Sequence, residues 1–415
     1  MADLVPIIIL AAVFIAIAVR QIGRFRLGIW QVMLAGAAAM LLSLQISPAA
    51  AFGYIDFNVI LFLIGAFIIG RALEESGYLD HLEYVLFRRA KGVSDLALLI
   101  LFGFGFASAF LMNDTLAIIG TPLVMGLSKR HYLDPKMMMF ALAFAITTGS
   151  VMSPIGNPQN LLVATSGISN PFAEFFRYLF LPTIANLLVA YLVLRLFYPR
   201  EFGKRLELGR RMPLKDKKLA ALAKISLGLF LLLIAAQVFT SAFDIGITLP
   251  LSGISVVAAL PVLIFSKNRA RLVRRIDWST IAFFISLFVV MGAVWQSGFF
   301  QGAVSGSGIG FGSISVVIPF SIIVSQFISN VPLAILYLKL LGASTLSAIS
   351  LMALAAGSTI AGNLTILGAA SNVIIIQKAE RNYGQTISFV EFVRIGAPLT
   401  ILNALVYLAF LSAGL

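Results

Sequence analysis

Two short polar motifs interrupt apolar stretches of the chain, and the first of them contains a carboxylate. This motif is Asn113-Asp114-Thr115. An ionised carboxylate is costly at hydrocarbon depth, so Asp114 is expected to pair with a cation or to exchange a proton. The motif therefore predicts a coupling-ion or proton site at these three residues. The alternative is a helix N-cap that faces away from any bound species, because Asn and Asp are good N-caps.

The second motif, Ser329-Asn330-Val331, contains no acid. Pro332 follows it, and proline suits the first turn of a new helix. Ser329 and Asn330 are predicted to contact a bound solute, or else to cap helix ends only. Because one motif is acidic and the other is not, the pair argues against two identical cation sites.

A second kind of polar interruption follows each motif later in the chain. Each begins with Gly-Ser, at Gly149 and Gly357, and continues to a Gly-x-x-x-Asn spacing. So many hydroxyl and amide groups do not suit a wall that faces lipid, and we expect them to line a solute site. These residues are Ser150, Asn157, Asn160, Ser358, Asn363, Thr365, Ser371 and Asn372. The alternative is that the hydroxyls join helices and the glycines allow close helix packing.

The matching positions of these interruptions reflect an internal repeat. Residues 55–77 and 276–298 are related by an offset of 221, with nine of 23 positions identical and no gap. Two repeats that are interrupted at matching places indicate a secondary transporter with a site near the middle of the membrane. We predict a first repeat over 1–198, a basic linker over 199–224 and a second repeat over 219–415.

The composition limits the class of protein. The chain has 415 residues, of which 60% are hydrophobic and only 11% are charged, so lipid must surround most of it. There is no cysteine, which excludes disulfides and thiolate metal sites. The net charge of +13 is interpreted as a topology signal and not as a nucleic-acid interface. We find no phosphate loop, zinc spacing or nucleophile-base pair, and we predict no enzyme activity, no cofactor and no bound metal.

The apolar runs predict an all-α integral membrane protein with about ten spans in two inverted repeats. Each repeat also contains a re-entrant hairpin, over 94–128 and 309–342, and a broken helix, over 137–168 and 346–376. Helix N-termini at these breaks attract anions or oxygen-rich neutral solutes, whereas C-terminal carbonyls suit Na⁺ or a proton carrier. The other spans are predicted at 4–19, 27–46, 56–73, 171–198, 219–243, 246–265, 278–297 and 389–413.

The basic residues set the predicted orientation. With two hairpins, most of the 30 Lys and Arg residues fall in inner loops, in agreement with the positive-inside rule. Each repeat then crosses the inner or plasma membrane an odd number of times, and both termini lie on the outer side of that membrane. Segment 78–93 is predicted to lie along the inner surface as an amphipathic helix. The linker 199–224 is a topology anchor, or else it binds anionic lipid or a soluble ATPase subunit.

Two segments carry a resemblance to known transporters. The segment from Asn113 to Pro122 resembles the Asn-Asp segment of arsenite/antimonite efflux permeases. The segment from Pro154 to Asn160 is similar to the matching segment of the wider ion transporter superfamily. That superfamily includes sodium/proton antiporters, citrate transporter-like proteins and divalent-anion/sodium symporters. The resemblance extends over essentially the whole chain.

This resemblance implies two inverted repeats, often in a homodimer, and a substrate bound at the hairpin tips. In the carboxylate symporters both tips read Ser-Asn-Thr and contact carboxylate and Na⁺. An ionised Asp114 would repel a dicarboxylate, so the chain is more similar to a permease that moves neutral As(OH)₃ or Sb(OH)₃ outward in exchange for protons. The open alternatives are an H⁺- or Na⁺-coupled anion transporter, a Na⁺/H⁺ antiporter and, less favoured, a channel.

Overall fold

The apolar sequence forms helices almost throughout, because a helix satisfies its own backbone hydrogen bonds in lipid. The computed structural model describes residues 4–19, 21–22, 25–26, 28–55, 57–78, 90–109, 111–164, 166, 168, 171–204, 206, 216–242, 251–299, 301–302, 312–341 and 347–414. Residues 79–89 of the predicted amphipathic segment and residues 205 and 207–215 of the predicted linker lie outside these ranges.

The first half contains nine described helices and one small pair of strands. The helices are α1 (Val5–Val19), α2 (Ile29–Leu42), α3 (Pro48–Tyr54), α4 (Phe57–Glu75), α5 (Val93–Ala107), α6 (Asn113–His131), α7 (Pro135–Gly149), α8 (Pro158–Ala164) and α9 (Pro171–Phe197). Strands β1 (Gln21–Ile22) and β2 (Phe25–Arg26) pair antiparallel between α1 and α2. Helix α2 ends before the predicted limit of residue 46, because the hydroxyl of Ser43 binds the carbonyl of Ala39 and Leu44 has a positive φ of 58°.

The second half repeats this order. The described helices are α10 (Pro199–Phe202), α11 (Lys217–Ala242), α12 (Leu251–Phe265), α13 (Arg269–Arg274), α14 (Trp278–Gln296), α15 (Ile314–Ile328), α16 (Asn330–Leu341), α17 (Ala348–Ile360), α18 (Ala370–Tyr383) and α19 (Phe389–Ala413). Four described helical segments are long and apolar enough to cross a membrane unaided, namely Pro135–Met152, α9, α14 and α19. The other apolar helices are shorter, are broken or have residues that fall outside the description.

Each predicted hairpin is a pair of helices joined by a short turn. In the first, α5 and α6 are joined through residues 108–112, and the Asn113 motif begins α6. We call residues 108–115 the first tip. In the second, α15 and α16 are joined through Ser329 alone, and we call residues 328–331 the second tip. The polar motifs therefore lie at the starts of the second arms.

Each predicted broken helix is interrupted by non-helical backbone. Helix α7 passes through a 3₁₀ turn (Ser150–Met152) and an irregular stretch to α8, and we call residues 150–157 the first break. Helix α17 passes through two 3₁₀ turns (Ala361–Asn363 and Ile366–Gly368) to α18, and we call residues 361–369 the second break. Such backbone is tolerated within a membrane only where protein or a wet cavity surrounds it.

The same packing pairs recur in the two halves. Helix α5 packs on α7 as α15 packs on α17, and α1 packs on α2 as α11 packs on α12. Between the halves, α2 contacts α14 as α12 contacts α4, and α6 contacts α18 as α16 contacts α8. Helices α9 and α19 pack on each other. The number of spans and the inversion of the repeats relative to a membrane stay predictions.

Small residues and one amide pair hold these contacts. A Cβ on Gly149 would clash with the backbone of Gly105 on α5, so these helices touch through glycine. Between α9 and α19, the Nδ2 of Asn403 donates to the Oδ1 of Asn186 at 2.8 Å. Both Asn side chains are fully buried, and such a pair fixes the alignment of two helices where apolar contacts alone would let them slide.

Helix α18 extends beyond the predicted broken helix, which was expected to end at residue 376. It includes the basic residues Lys378 and Arg381. The Nζ of Lys378 lies 3.8 Å from the carboxylate of Glu74 on α4, and the guanidinium of Arg381 lies 3.7 Å from Asp277. The helix ends at Gly384, which has a φ of 66° and whose backbone N–H caps the last turn.

Candidate functional site

A cavity with a volume of about 100 Å³ lies where the two tips and the two breaks meet. Helices α6, α8, α16 and α18 all begin beside it, so their N-termini converge there. Its polar lining comes from these tips, breaks and helix starts and from α15. These polar residues are Asn113, Asp114, Asn157, Gln159, Gln326, Ser329, Asn330 and Ser371.

Much of the cavity lining is apolar. Helix α14 contributes Phe284, Phe288 and Met291 among others, while α1 contributes Phe14 and α2 contributes Met33. A bound solute would therefore meet oxygen and nitrogen atoms together with aromatic rings and thioethers. Aromatic and aliphatic side chains carry most of a typical small-molecule pocket, while a few polar groups fix the ligand.

Asp114 is in the first turn of α6 and its side chain faces the cavity. Only 8% of the residue is exposed, and its carboxylate makes no hydrogen bond or ion pair with any residue that the structure describes. The positive end of the α6 dipole lies beside it and favours a negative charge there. The cavity lining has no Lys, Arg or His among the described residues, so a bound species or a proton must supply any further compensation.

Asn113 ties the first tip to the first break. Its backbone N–H donates to the carbonyl of Gly156 at 3.3 Å. In the amide orientation that satisfies both ends, its Nδ2 donates to Ser150 Oγ and Ile146 O at 3.1 Å and its Oδ1 accepts from Ser150 Oγ at 3.2 Å. The amide hydrogens of Asn113 therefore bind protein oxygens and are not free for a solute.

The first break is held by two asparagines. Asn157 caps α8, because its Oδ1 accepts from the backbone N–H of Asn160 at 2.9 Å. Asn160 is fully buried and its Nδ2 donates to the carbonyls of Ser153 and Ser150 at 2.9 and 3.1 Å. Those carbonyls also accept from the backbone N–H groups of Ser153 and Gly156, both at 3.3 Å, so Asn160 adds a side-chain hydrogen bond to each carbonyl at the break.

Thr359 of α17 joins this break to the second half. Its hydroxyl donates to Asn160 Oδ1 at 3.1 Å and accepts from Asn157 Nδ2 at 3.2 Å and Gln159 Nε2 at 3.4 Å. In the opposite direction, Asn363 of the second break donates to the hydroxyl of Thr148 on α7 at 3.1 Å. Each break is thus hydrogen-bonded to the continuous part of the other broken helix.

The second break is held by Asn372 and by Gln326 of α15. The Nδ2 of Asn372 donates to the carbonyls of Gly362 and Thr365 at 2.6 and 3.3 Å, the arrangement seen for Asn160. Gln326 donates to the carbonyl of Ala361 at 3.0 Å and accepts from the hydroxyl of Thr365 at 2.7 Å. The matching Gly-x-x-x-Asn spacings therefore perform the same structural task in both halves.

The second tip turns sharply at Ser329, which has φ 67° and ψ 159°. A residue with a side chain rarely adopts this conformation, and such strain tends to be stored at functional sites. Asn330 follows it, and the Oδ1 of its buried amide has no hydrogen-bond partner among the described residues. The buried hydroxyl of Ser371, across the cavity at the start of α18, likewise has none within the part of the chain described.

A comparison with protein family models identifies the family to which this chain belongs. A family model described as citrate transporter matches residues 9–348, which is more than half of the chain. The chain belongs to the citrate transporter family. The match confirms the predicted relationship to the ion transporter superfamily, at the level of citrate transporter-like proteins.

Individual relatives of this family member differ in their descriptions. It is 26% identical to the silicon efflux transporter LSI3 of rice (Oryza sativa subsp. japonica) over 89% of each chain. It is 24% identical to the mouse P protein over 86% of its own length, but it spans only 54% of that protein. The crystal structure of the Alcanivorax borkumensis YdaH transporter aligns with a TM-score of 0.50 at 14% identity over 98% of this chain and 96% of that one. The predicted all-α membrane fold is confirmed.

The structure divides the sequence-predicted site residues of this citrate transporter family member into two groups. Six of them line the cavity, namely Asn113, Asp114, Asn157, Ser329, Asn330 and Ser371. The others lie outside the lining, namely Thr115, Ser150, Asn160, Ser358, Asn363, Thr365 and Asn372. Most of the second group hold the breaks, whereas Ser358, within the described part of the chain, bonds only to the carbonyls of Leu354 and Ala355 in α17. A role for either group in solute binding stays a prediction.

Sequence reasoning missed several residues of this site. Gln159 lies inside the polar stretch Gly156 to Asn160, so its position alone could have indicated it. Gln326 follows Ser325 and Thr359 follows Ser358, and the sequence does not reveal that Gln326 and Thr359 face a break in another helix. The aromatic wall of α14 resembles any other apolar span until its partners are known.

Proposed function

We propose that this family member is a proton-coupled secondary transporter that exports small neutral metalloid hydroxides such as arsenite and antimonite by alternating access. The observation that carries the proposal is the electrostatics of the cavity, in which one carboxylate and no basic side chain of the described residues meet a polar surface. A neutral solute avoids the repulsion that an anion would meet at Asp114, and it avoids the cost of transferring a charge into a poorly solvated space.

The hydrogen-bonding groups favour a solute that donates. The amide hydrogens of Asn113, Asn157 and Gln326 bind protein oxygens. Among the described residues, the Asp114 carboxylate makes no hydrogen bond, and buried oxygens of the lining residues Asn330 and Ser371 also lack a partner. These are acceptors, or hydroxyls that can also accept. A trihydroxide presents three O–H donors and would satisfy several of these oxygens together.

The similarity to a silicon efflux transporter supports the same class of solute. Silicic acid is a small neutral tetrahydroxide at neutral pH, and arsenous acid is a small neutral trihydroxide. A site that presents oxygen acceptors and no fixed cation suits both. The direction of export is taken from that relative and from the resemblance of the Asn113 segment to arsenite efflux permeases.

In this proposal Asp114 carries the coupling proton. Protonated Asp114 is neutral, so the cavity can change its access from one side of the membrane to the other with the proton bound. Ionised Asp114 instead offers its oxygens to solute hydroxyls. Loading of the solute and loading of the proton then compete for one carboxylate, which is what an exchanger requires. No metal or organic cofactor takes part, and Na⁺ is the alternative coupling ion.

An anion transporter coupled to H⁺ or Na⁺ is the second candidate. Four helix N-termini point toward the cavity, and such N-termini bind anions through their N–H groups and dipoles. The family description names citrate, which is an anion. The uncompensated carboxylate of Asp114 opposes this candidate unless a cation enters with the anion.

Orientation and partners complete the proposal. We place the protein in the inner or plasma membrane with both termini outside, in contact with lipid, and as a homodimer. A soluble ATPase subunit at the basic linker 199–224 is an additional proposed partner. Each of these statements rests on charge distribution or on family resemblance.

Purified protein in proteoliposomes tests the proposal. An imposed pH gradient should drive movement of arsenite or silicic acid in Na⁺-free buffer, and solute movement should in turn change the internal pH. Saturable counterflow would exclude a channel. Citrate uptake that requires Na⁺ and is indifferent to arsenite would overturn the proposal in favour of the anion transporter.

A further inference from the structure

Thr359 lies outside the cavity but contacts two residues that line it. The residue is 1% exposed and belongs to α17, in the second half of the chain. Its hydroxyl meets Asn157, Gln159 and Asn160, all at the first break or at the start of α8. A hydroxyl has one donor and two acceptor positions, and these three contacts use all of them.

The direction of each of these hydrogen bonds follows from backbone groups whose polarity is fixed. The Nδ2 of Asn160 faces the carbonyls of Ser150 and Ser153, which can only accept. The Oδ1 of Asn160 therefore faces Thr359, and the Thr359 hydroxyl must donate to it. Its two lone pairs remain for the other neighbours.

Those neighbours must then present donors to Thr359. The Oδ1 of Asn157 already accepts from the backbone N–H of Asn160, which can only donate, so its Nδ2 faces Thr359. Gln159 likewise directs its Nε2 to Thr359 at 3.4 Å. Its other amide atom, the carbonyl oxygen Oε1, is left for the cavity that Gln159 lines.

We propose that Thr359 is a positioning residue that sets solute selectivity by turning the carbonyl oxygen of Gln159, and not its amide nitrogen, toward the bound solute. The contribution of Thr359 is indirect, because it touches the lining residues and not the cavity. Without the hydroxyl, Gln159 can rotate and present N–H donors, which favour anions. That the Thr359 hydroxyl strengthens solute binding, and does not weaken it, rests on the proposed function, in which the solute donates hydrogen bonds.

The experiment compares matched threonine variants of the full-length protein in lipid nanodiscs. Thr359→Val removes the hydroxyl at nearly constant volume, and Thr359→Ser keeps it. The control is Thr400→Val on α19, where an equally buried hydroxyl bonds only to the carbonyl of Gly396 in its own helix. Dissociation constants are measured by titration calorimetry with silicic acid, arsenite and citrate as probes.

We expect Thr359→Val to raise the Kd for silicic acid and arsenite about five- to tenfold, the scale of one lost hydrogen bond, and to lower the Kd for citrate. Thr359→Ser and Thr400→Val should bind all three probes as the wild type does. The proposal is overturned if Thr359→Val and Thr400→Val show the same ratio of silicic acid to citrate affinity. It is also overturned if Thr359→Ser weakens silicic acid binding as much as Thr359→Val does.

A second variant keeps the test decisive if Thr359→Val does not fold. Gln159→Ala removes the presented oxygen from a residue at the cavity surface, and it should raise the Kd for silicic acid by a similar factor. Unchanged binding of silicic acid by Gln159→Ala overturns the proposal.

The two proposals can fail separately. If the wild type binds citrate but neither silicic acid nor arsenite, the proposed function has failed. The role of Thr359 is then decided with citrate alone, because Thr359→Val should bind it more tightly than Thr400→Val does. Equal citrate binding by the two variants overturns the role of Thr359 as well.

Discussion

The two tips occupy matching places in the two halves, yet they differ in charge and in backbone. The first carries Asp114 and is joined to its break through the amide of Asn113. The second has no acid, turns through a single strained serine, and leaves the Oδ1 of Asn330 without a partner among the described residues. The breaks behind them are alike, because Asn160 and Asn372 cap interrupted carbonyls in the same way. The two halves therefore share the hydrogen bonds that hold the breaks, while the charge and the backbone conformation differ between the tips.

The strongest test of this difference is Asp114→Asn. We expect proton-coupled transport to fall to the level of empty liposomes, because the substituted amide cannot exchange a proton. Folding should survive, since the carboxylate has no protein partner among the described residues that the amide would lose. Asn330→Ala at the second tip is the matched comparison and should weaken solute binding without uncoupling the proton. Full pH-driven transport by Asp114→Asn would show that the acidic tip is not the coupling site.

Matched glycine substitutions test how closely the helix packing of the two halves agrees. A Cβ on Gly149 would clash with the backbone of Gly105, whereas one on Gly357 would lie 3.0 Å from the Cα of Ile318. Overpacking costs about 1–3 kcal/mol, so we expect Gly149→Ala near the upper value and Gly357→Ala near the lower. Thermal unfolding in detergent would measure both. Equal losses would mean that α5 can move away from α7 as easily as α15 moves from α17.

Substitution of the two capping asparagines, Asn160 and Asn372, should cause losses of stability that differ by a smaller amount. Asn160 binds Ser150 and Ser153 carbonyls and also accepts from Thr359, whereas the Oδ1 of Asn372 has no partner in the described chain. Leaving buried polar groups unpaired costs about 1–3 kcal/mol, and we expect Asn160→Ala to lose roughly 1 kcal/mol more than Asn372→Ala. The melting temperatures of the two variants provide the measurement. A larger loss for Asn372→Ala would contradict the assignment of Thr359 as a partner.

The sequence predicted the framework better than it predicted the site. Apolar length and polar interruption indicated where helices are interrupted, because lipid allows few alternatives to a helix, while the re-entrant hairpins within a membrane stay a prediction. The same logic could not separate Asn160, which binds backbone, from Asn157, which also lines the cavity. That distinction depends on which way a side chain points from irregular backbone. Gln326 and Thr359 were missed because their partners lie on other helices, far away in the chain.

The smallest expected effect concerns the strained serine of the second tip. Glycine adopts φ 67° and ψ 159° without the clash that a Cβ creates, so Ser329→Gly should release strain of about 1–3 kcal/mol. Glycine also loses more backbone freedom on folding, by roughly 0.5–1 kcal/mol, which leaves a net gain of about 1 kcal/mol in stability. Solute binding should weaken slightly, because the hydroxyl that lines the cavity is gone. The equivalent change at the first tip, Met112→Gly, should destabilise, since Met112 has φ −57° and no strain to release. If both substitutions lowered the melting temperature equally, the second tip would hold no more strain than the first, and its serine would be retained for solute contact alone.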